Sequence, residues 1–134
     1  MITYLLDTNI CIYIIKKKPV NVFERFKLLA PGTVGISSIT AAELQYGISK
    51  SSFPEKNLNA LEQFLIPLEI LEFNYDAAIY YGRLRSNLEK NGKLIGPLDM
   101  LIAAHGLSVN ATLITNNVKE FTRIEGLKIE NWVL

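Results

Sequence analysis

Short apolar runs alternate along this chain with longer segments of helical periodicity. The runs are too short for helices and predict buried strands, at residues 2–6, 34–37, 70–73, 112–115 and 127–129. The segments between them predict helices bounded by capping residues, glycine or proline, at residues 10–17, 22–29, 38–46, 58–65 and 76–90, and after Gly96 and Pro97. This alternation predicts a three-layer α/β/α fold around a mainly parallel central sheet of four to five strands.

Three acidic residues stand where burial should be unfavourable. Asp7 ends the first apolar run, Glu43 lies inside an apolar segment, and Asp99 interrupts another. A desolvated carboxylate costs roughly several kcal/mol unless it is paired or bound to a cation. Parallel sheets bind ligands beyond the carboxyl ends of their strands, where Asp7 and residues 116–117 are both expected. The pattern predicts one shared acidic site that holds a hard divalent cation.

Composition narrows the class of protein. The chain has 134 residues, of which 49% are hydrophobic and 20% charged, which excludes a disordered chain. We therefore expect residues 1–134 to form a single domain. The lone cysteine, Cys11, allows no intrachain disulfide and favours a reducing cytoplasm. No apolar run reaches the roughly 18 residues of a membrane span, and no membrane contact is expected.

The available side chains favour hydrolysis of a phosphodiester assisted by a metal ion. Mg²⁺ and Mn²⁺ prefer oxygen ligands, and such an ion can activate water and neutralise charge on phosphate. The chain has one histidine and one cysteine, and it lacks a glycine-rich phosphate loop. Zinc chemistry of the usual ligand spacing and nucleotide-triphosphate chemistry are therefore disfavoured.

Structural explanations also exist for single residues. Asp7 could simply cap the helix after the first strand. Thr40 and Glu43 have the spacing of a capping box, and Asp99 would favour the dipole of the helix that it begins. His105 follows Asp99 by six residues and should face elsewhere on that helix. We therefore interpret the histidine as structural rather than as an acid or base.

Four motifs occur in order along nearly the whole chain. They are Leu-Asp-Thr-Asn at 6–9, Ser-Ile-Thr-Ala-Ala-Glu-Leu at 38–44, Ile-Gly-Pro-Leu-Asp at 95–99, and Leu-Ile-Thr-Asn-Asn at 113–117. With these motifs the chain resembles the PIN-domain nucleases, and closely resembles the VapC toxins of bacterial toxin–antitoxin pairs. The resemblance implies that Asp7, Glu43 and Asp99 are the catalytic and metal-binding carboxylates.

The same resemblance implies function and partners. It predicts a Mg²⁺- or Mn²⁺-dependent endoribonuclease that cuts RNA, with transfer RNA as the expected substrate. A VapB-type antitoxin would hold it inactive by covering the acidic site, and DNA would be met only through that antitoxin. A homodimer and a larger toxin–antitoxin assembly are also implied. Apolar residues of the early helices offer a surface for the dimer, namely Ile12, Ile15 and Phe23.

One position departs from the family pattern. Many PIN domains have an acidic residue where this chain has Asn117. Glu120, about one helical turn later, would supply the missing charge. Two alternatives stay open, since Asn117 could cap the next helix and Glu120 could be a solvated charge.

Further residues are candidates for supporting roles. Three polar side chains near the carboxylates could fix their rotamers or contact phosphate, and these are Asn9, Ser38 and Thr115. Three basic side chains ahead of the Asp99 motif are candidates for phosphate contacts, and these are Arg83, Arg85 and Lys93.

Three other functions share parts of this pattern. A structure-specific, metal-dependent DNA nuclease would use the same acidic site. A phosphoacceptor signalling domain needs a lysine after a late strand, where this chain has Asn116 and Asn117. A non-catalytic module that binds RNA or protein would not need all three carboxylates.

Overall fold

The computed structural model describes residues 1–133, which form one sheet and the helices that cover it. The strands are β1 (Tyr4–Leu6), β2 (Val34–Ser37), β3 (Glu69–Leu71), β4 (Thr112–Ile114) and β5 (Ile129–Glu130). The helices are α1 (Thr8–Lys16), α2 (Val20–Lys27), α3 (Ser38–Ser49), α4 (Pro54–Leu65), α5 (Tyr75–Lys90), α6 (Pro97–Ser108) and α7 (Val118–Phe121). The predicted three-layer α/β/α fold is confirmed.

The sheet is parallel throughout and has the strand order β3-β2-β1-β4-β5. The chain builds outward from β1 to β3, then crosses back to place β4 on the other side of β1. Tyr4 is consequently in register with Val34 on one side and with Thr112 on the other. The carboxyl ends of β1 and β4 therefore meet at the point where the strand order reverses, which is where parallel sheets bind ligands.

Alternate residues of the central strands fill two separate cores. Leu5 and Leu113 pack with α5 and α6 on one face of the sheet. Leu6 and Ile114 pack with α1 and α4 on the other face. This alternation follows from the two-residue period of a strand, and it explains why the strands read as continuous apolar runs.

Several element boundaries differ from those predicted. Helix α4 begins at Pro54, before the predicted start at residue 58, because proline is well suited to the first position of a helix. Helix α2 begins at Val20, directly after Pro19. Strand β3 ends at Leu71, and the backbone N–H of Phe73 donates to Ser38 Oγ at 3.0 Å instead of continuing the sheet.

Long apolar helices are missing from the part of the chain that the structure describes. Within residues 1–133, no helix is both long enough and apolar enough to cross a membrane.

Candidate active site

Asp7 lies at the centre of the sheet's carboxyl edge and is nearly inaccessible to solvent, with 4% of its surface exposed. Its Oδ1 accepts a hydrogen bond from the backbone N–H of Thr8 at 2.8 Å, so it does cap α1. Its Oδ2 accepts from Thr115 Oγ1 at 2.7 Å, across the junction between β1 and β4. Burial raises the pKa of the Asp7 carboxyl, while these two hydrogen bonds oppose the shift and the charge of Glu43 adds to it.

Glu43 is joined to the Asp7 segment through Thr8. The Thr8 hydroxyl donates to Glu43 Oε1 at 2.8 Å, and it lies 3.4 Å from the hydroxyl of Thr40. Glu43 and Thr40 both lie within α3, whose cap is Ser37, with Ser37 Oγ accepting from the N–H of Ile39 at 3.1 Å. The capping-box explanation for Thr40 and Glu43 is therefore wrong.

Asp99 lies in the first turn of α6, facing Glu120 of α7. Burial, a hydrogen bond shared with Glu120, and the charges of Asp7, Glu120 and Glu43 raise the pKa of Asp99 from 3.8 to about 7. Four carboxyl groups thus act on one another at this edge of the sheet.

Asn117 contacts Glu120 rather than capping with its side chain. Its Nδ2 donates to Glu120 Oε2 at 2.9 Å, and its backbone N–H donates to Thr115 Oγ1 at 3.0 Å. The side chain makes no capping hydrogen bond to α7. Glu120 is accordingly held towards Asp99, and the alternative of a freely solvated Glu120 does not describe this geometry.

The carboxylates do not form a ready-made ligand cage. In residues 1–133, no three histidine, cysteine or acidic side chains are grouped closely enough to hold a metal ion. Oxygens of Asp7 and Glu43 are instead engaged by threonine hydroxyls or backbone N–H groups. The chemistry of the donors, four carboxyls with an amide beside them, nevertheless suits a hard cation.

The remaining candidate residues differ in their exposure and in their hydrogen-bond partners. Asn9 is exposed on α1, and Ser38 Oγ accepts from the Phe73 N–H, away from the carboxylates. Arg85 donates to Glu89 and Tyr81, whereas Arg83 and Lys93 are solvent-exposed. Thr115 is the one candidate of this group with a direct hydrogen bond to a carboxylate of the site.

His105 is buried on α6 with 1% of its surface exposed. Its Nδ1 lies 2.7 Å from Ser37 Oγ, and its ring stands edge-on to Phe73 at 5.6 Å between centroids. Burial lowers the pKa of the imidazole, which favours its neutral form. These contacts agree with a structural role, and they tie α6, which bears Asp99, to the start of the helix that bears Glu43.

Sequence reasoning missed Thr8. It joins Asp7 and Glu43 by one backbone and one side-chain hydrogen bond. The sequence signal that could have identified it is its position directly after Asp7, in the Leu-Asp-Thr-Asn motif at 6–9. Its partner Glu43 is 35 residues away, so the contact follows from the packing of α1 against α3.

Comparison with known proteins places this geometry in a family. The family model described as PIN domain matches residues 4–127. The chain is similar to Ribonuclease VapC2 of Rickettsia felis, with 52% identity over 130 residues, 96% of this chain and 97% of that protein. It is also similar to the tRNA(fMet)-specific endonuclease VapC of Shigella flexneri, with 44% identity over 132 residues, 98% of this chain and 99% of that protein.

A solved structure agrees with the sequence comparison. A chain in the crystal structure of VapBC2 from Rickettsia felis, bound to a DNA fragment from their promoter, superposes with a TM-score of 0.92. It is 50% identical, and the match covers 98% of this chain and 99% of that one. The fold is thus that of a PIN domain. Within the PIN domains, the chain belongs to the VapC ribonucleases, the endoribonuclease toxins of type II toxin–antitoxin systems.

Proposed function

We propose that this chain is a Mg²⁺- or Mn²⁺-dependent endoribonuclease that hydrolyses phosphodiester bonds of transfer RNA. The observation that supports the metal is the meeting of Asp7, Glu43, Asp99 and Glu120 at one edge of the sheet, where burial and their mutual charges raise the pKa of Asp99 to about 7. A divalent cation would offset the repulsion among these four carboxyls. The substrate is inferred from a relative named as a tRNA(fMet)-specific endonuclease.

The roles of the protein groups follow from their contacts. Asp7, Glu43 and Asp99 would hold the cation, with Glu120 and Asn117 as further ligands. When bound, the cation would lower the pKa of the attacking water and neutralise charge on the scissile phosphate. Thr115 and Thr8 fix the orientation of Asp7 and Glu43 through their hydroxyls. We assign the proton of that water to Asp99, which lies in the first turn of α6 and faces Glu120.

The experiment that tests this function compares RNA and DNA of one sequence. The protein is stripped with EDTA, then given Mg²⁺, Mn²⁺ or no metal, with an Asp7→Asn variant as the inactive control. We expect the protein to cleave the RNA but not the DNA, and to do so only when a divalent ion is present. Cleavage of DNA would favour the structure-specific DNA nuclease, and binding without cleavage would favour a non-catalytic module. Cleavage that persists without divalent ions would refute the metal-dependent mechanism.

Thr8→Val tests the hydroxyl that holds Glu43. The change keeps the shape of the side chain but removes the donor that lies 2.8 Å from Glu43 Oε1. Losing such an outer contact typically lowers metal affinity or activity about 10- to 100-fold. Metal titrations of the cleavage rate should show this loss, whereas Thr8→Ser, which retains the hydroxyl, should stay near wild type. Equal behaviour of the two variants would remove Thr8 from the site.

We also propose that a VapB-type antitoxin inhibits this chain, because relatives are found in VapBC complexes. A cavity of about 260 Å³ between α1, α3 and α4 suits an amphipathic antitoxin segment. Its walls include Ile12, Ile15 and Ile48, and Glu43 lies at its border. A basic antitoxin side chain at that border would compete with the cation for the carboxylates.

Gly47→Gln should weaken the antitoxin complex at least about tenfold. Gly47 lines the cavity, and a Cβ there would meet open space, so the longer side chain should obstruct the cavity without straining α3. Gly82→Gln is the matched control, because Gly82 is also open at its Cβ position but lies on α5. Affinity for the co-expressed antitoxin is the measurement, and equal affinities of the two variants would contradict the assignment.

We further propose a homodimer in the cytoplasm, which joins larger toxin–antitoxin assemblies and meets DNA through the antitoxin. Of the residues predicted for the dimer surface, Ile12 and Ile15 line the cavity assigned to the antitoxin, which leaves the partly buried Phe23 for the dimer. Tyr75 and Ile79 on α5 add exposed apolar surface. Light scattering at micromolar concentration should give twice the mass of one chain, and a monomer throughout would contradict the dimer.

A further inference from the structure

A second groove lies in the opposite helical layer, between α5, the end of α6 and the turn after α7. It encloses about 410 Å³. Leu84, Leu88 and Ile124 are almost fully buried and line its apolar wall. Five polar side chains also line it, and these are Tyr80, Arg83, Asn87, Arg123 and Glu125. We call this feature the arginine groove.

The charge of the arginine groove favours an anionic occupant. Arg83 is exposed and takes part in no salt bridge within residues 1–133. Arg123 uses one N–H to donate to the backbone oxygen of Leu94 at 3.0 Å, while a guanidinium has five such donors. Glu125 also lines the groove, so two guanidinium groups stand against one carboxylate.

One residue that lines the arginine groove, Arg123, follows Glu120 of the acidic site by three positions. The backbone N–H of Arg123 donates to the backbone oxygen of Glu120 at 3.1 Å, in the turn that follows α7. The hydrogen bond from Arg123 to Leu94 reaches the segment that leads into α6 and Asp99. Arg123 thus lines the groove and contacts both the segment that carries Glu120 and the segment that leads to Asp99.

We infer that the arginine groove binds single-stranded RNA on one side of the scissile phosphate. This inference rests on the proposed function. Guanidinium groups bind phosphate in bidentate fashion, and the ring of Tyr80, which is 37% exposed, offers a surface on which a base can stack. The amide of Asn87 can pair with a base edge or a 2′-hydroxyl. A linear strand that leaves the acidic site over Arg123 would therefore meet phosphate and base contacts in succession.

The test is the effect of Arg83→Gln on RNA substrates of increasing length. On a single-stranded oligoribonucleotide that reaches past the acidic site, KM should rise about tenfold while kcat changes little. The loss should shrink as the substrate is shortened towards a trinucleotide. Lys56→Gln removes an exposed charge of the same sign on α4, outside the groove. It should leave KM and kcat unchanged for the long and for the shortened substrates.

Binding measured without cleavage separates this inference from the proposed function. In EDTA, fluorescence anisotropy of the labelled oligoribonucleotide should show weaker binding by Arg83→Gln and a salt slope reduced by about 0.7, the value for one phosphate contact on a single strand. Equal binding by wild type and Arg83→Gln, or the same loss for Lys56→Gln, would overturn the inference. The inference would also be overturned if Arg83→Gln bound the antitoxin more weakly but RNA equally well, since the groove would then be a protein-binding surface.

Discussion

Asp99→Asn is expected to abolish RNA cleavage and, without divalent ions, to raise the melting temperature near neutral pH. Asparagine keeps the size of the side chain but cannot take a proton from water or supply an anionic ligand. Removal of one group that stabilises a transition state typically lowers kcat by about 10²- to 10³-fold, and loss of a base and ligand together should exceed that. Rates with saturating Mg²⁺ or Mn²⁺ provide the measurement.

The pH dependence of stability has a definite sign for Asp99. Its pKa is raised from 3.8 to about 7 by burial and by the charges of Glu120, Asp7 and Glu43, so the native state favours the protonated carboxyl. That contribution to stability is fully present below about pH 4 and is lost as the pH rises through about 7. The variant lacks this titration, so its advantage over wild type should grow from pH 5 to pH 8.

Calorimetry in EDTA at several pH values checks this prediction. Glu62→Gln, which neutralises an exposed carboxylate on α4, should melt like wild type across the range. Added Mg²⁺ should stabilise wild type and have much less effect on Asp99→Asn. Near wild-type cleavage by Asp99→Asn, or an advantage in melting temperature that does not change with pH, would refute a shared acidic site.

The fold could be predicted because its signals are local. Leu5 and Leu6 belong to one short apolar run, and they pack into opposite cores because successive strand residues face opposite sides of the sheet. The place of Asp7 could be predicted as well, since it depends only on the end of β1 and on the rule for parallel sheets. Neither the fold nor the position of Asp7 requires knowledge of contacts between residues that are distant in sequence.

The support of the site could not be predicted from local signals. The hydroxyl of Thr115 reaches Asp7 across 108 positions, and that of Thr8 reaches Glu43 across 35. The apparent capping box at Thr40 was misleading because Ser37 already caps the helix. Such contacts depend on how the helices pack, and sequence spacing does not determine that packing.

Glu120 could be predicted only in part. The sequence shows that its side chain carries a charge, but it does not show which way that side chain points. Helix α7 spans only Val118–Phe121, and the orientation of Glu120 depends on two neighbours. Asn117 Nδ2 donates to Glu120 Oε2 at 2.9 Å, and Asp99 shares a hydrogen bond with the same carboxyl. Glu120 is thereby placed to contribute the charge that Asn117 lacks.

Glu120→Gln is therefore expected to weaken metal binding about 10- to 100-fold, the usual effect of losing a supporting contact. Cleavage should fall at low metal and recover in part as the metal concentration is raised, because the three core carboxylates are still present. The pKa of Asp99 should also move down towards its ordinary value, since Glu120 contributes to its rise through a hydrogen bond and through charge.

Two further variants make the test of Glu120 specific. Asn117→Asp should tighten metal binding by adding an anionic oxygen, and should destabilise the metal-free protein by placing a second carboxylate against Glu120. Glu72→Gln neutralises an exposed carboxylate away from α7 and should titrate like wild type. Metal titrations of cleavage compare all four proteins. If the curves of Glu120→Gln and wild type coincide, Glu120 is not part of the site, and its contact with Asn117 only stabilises α7.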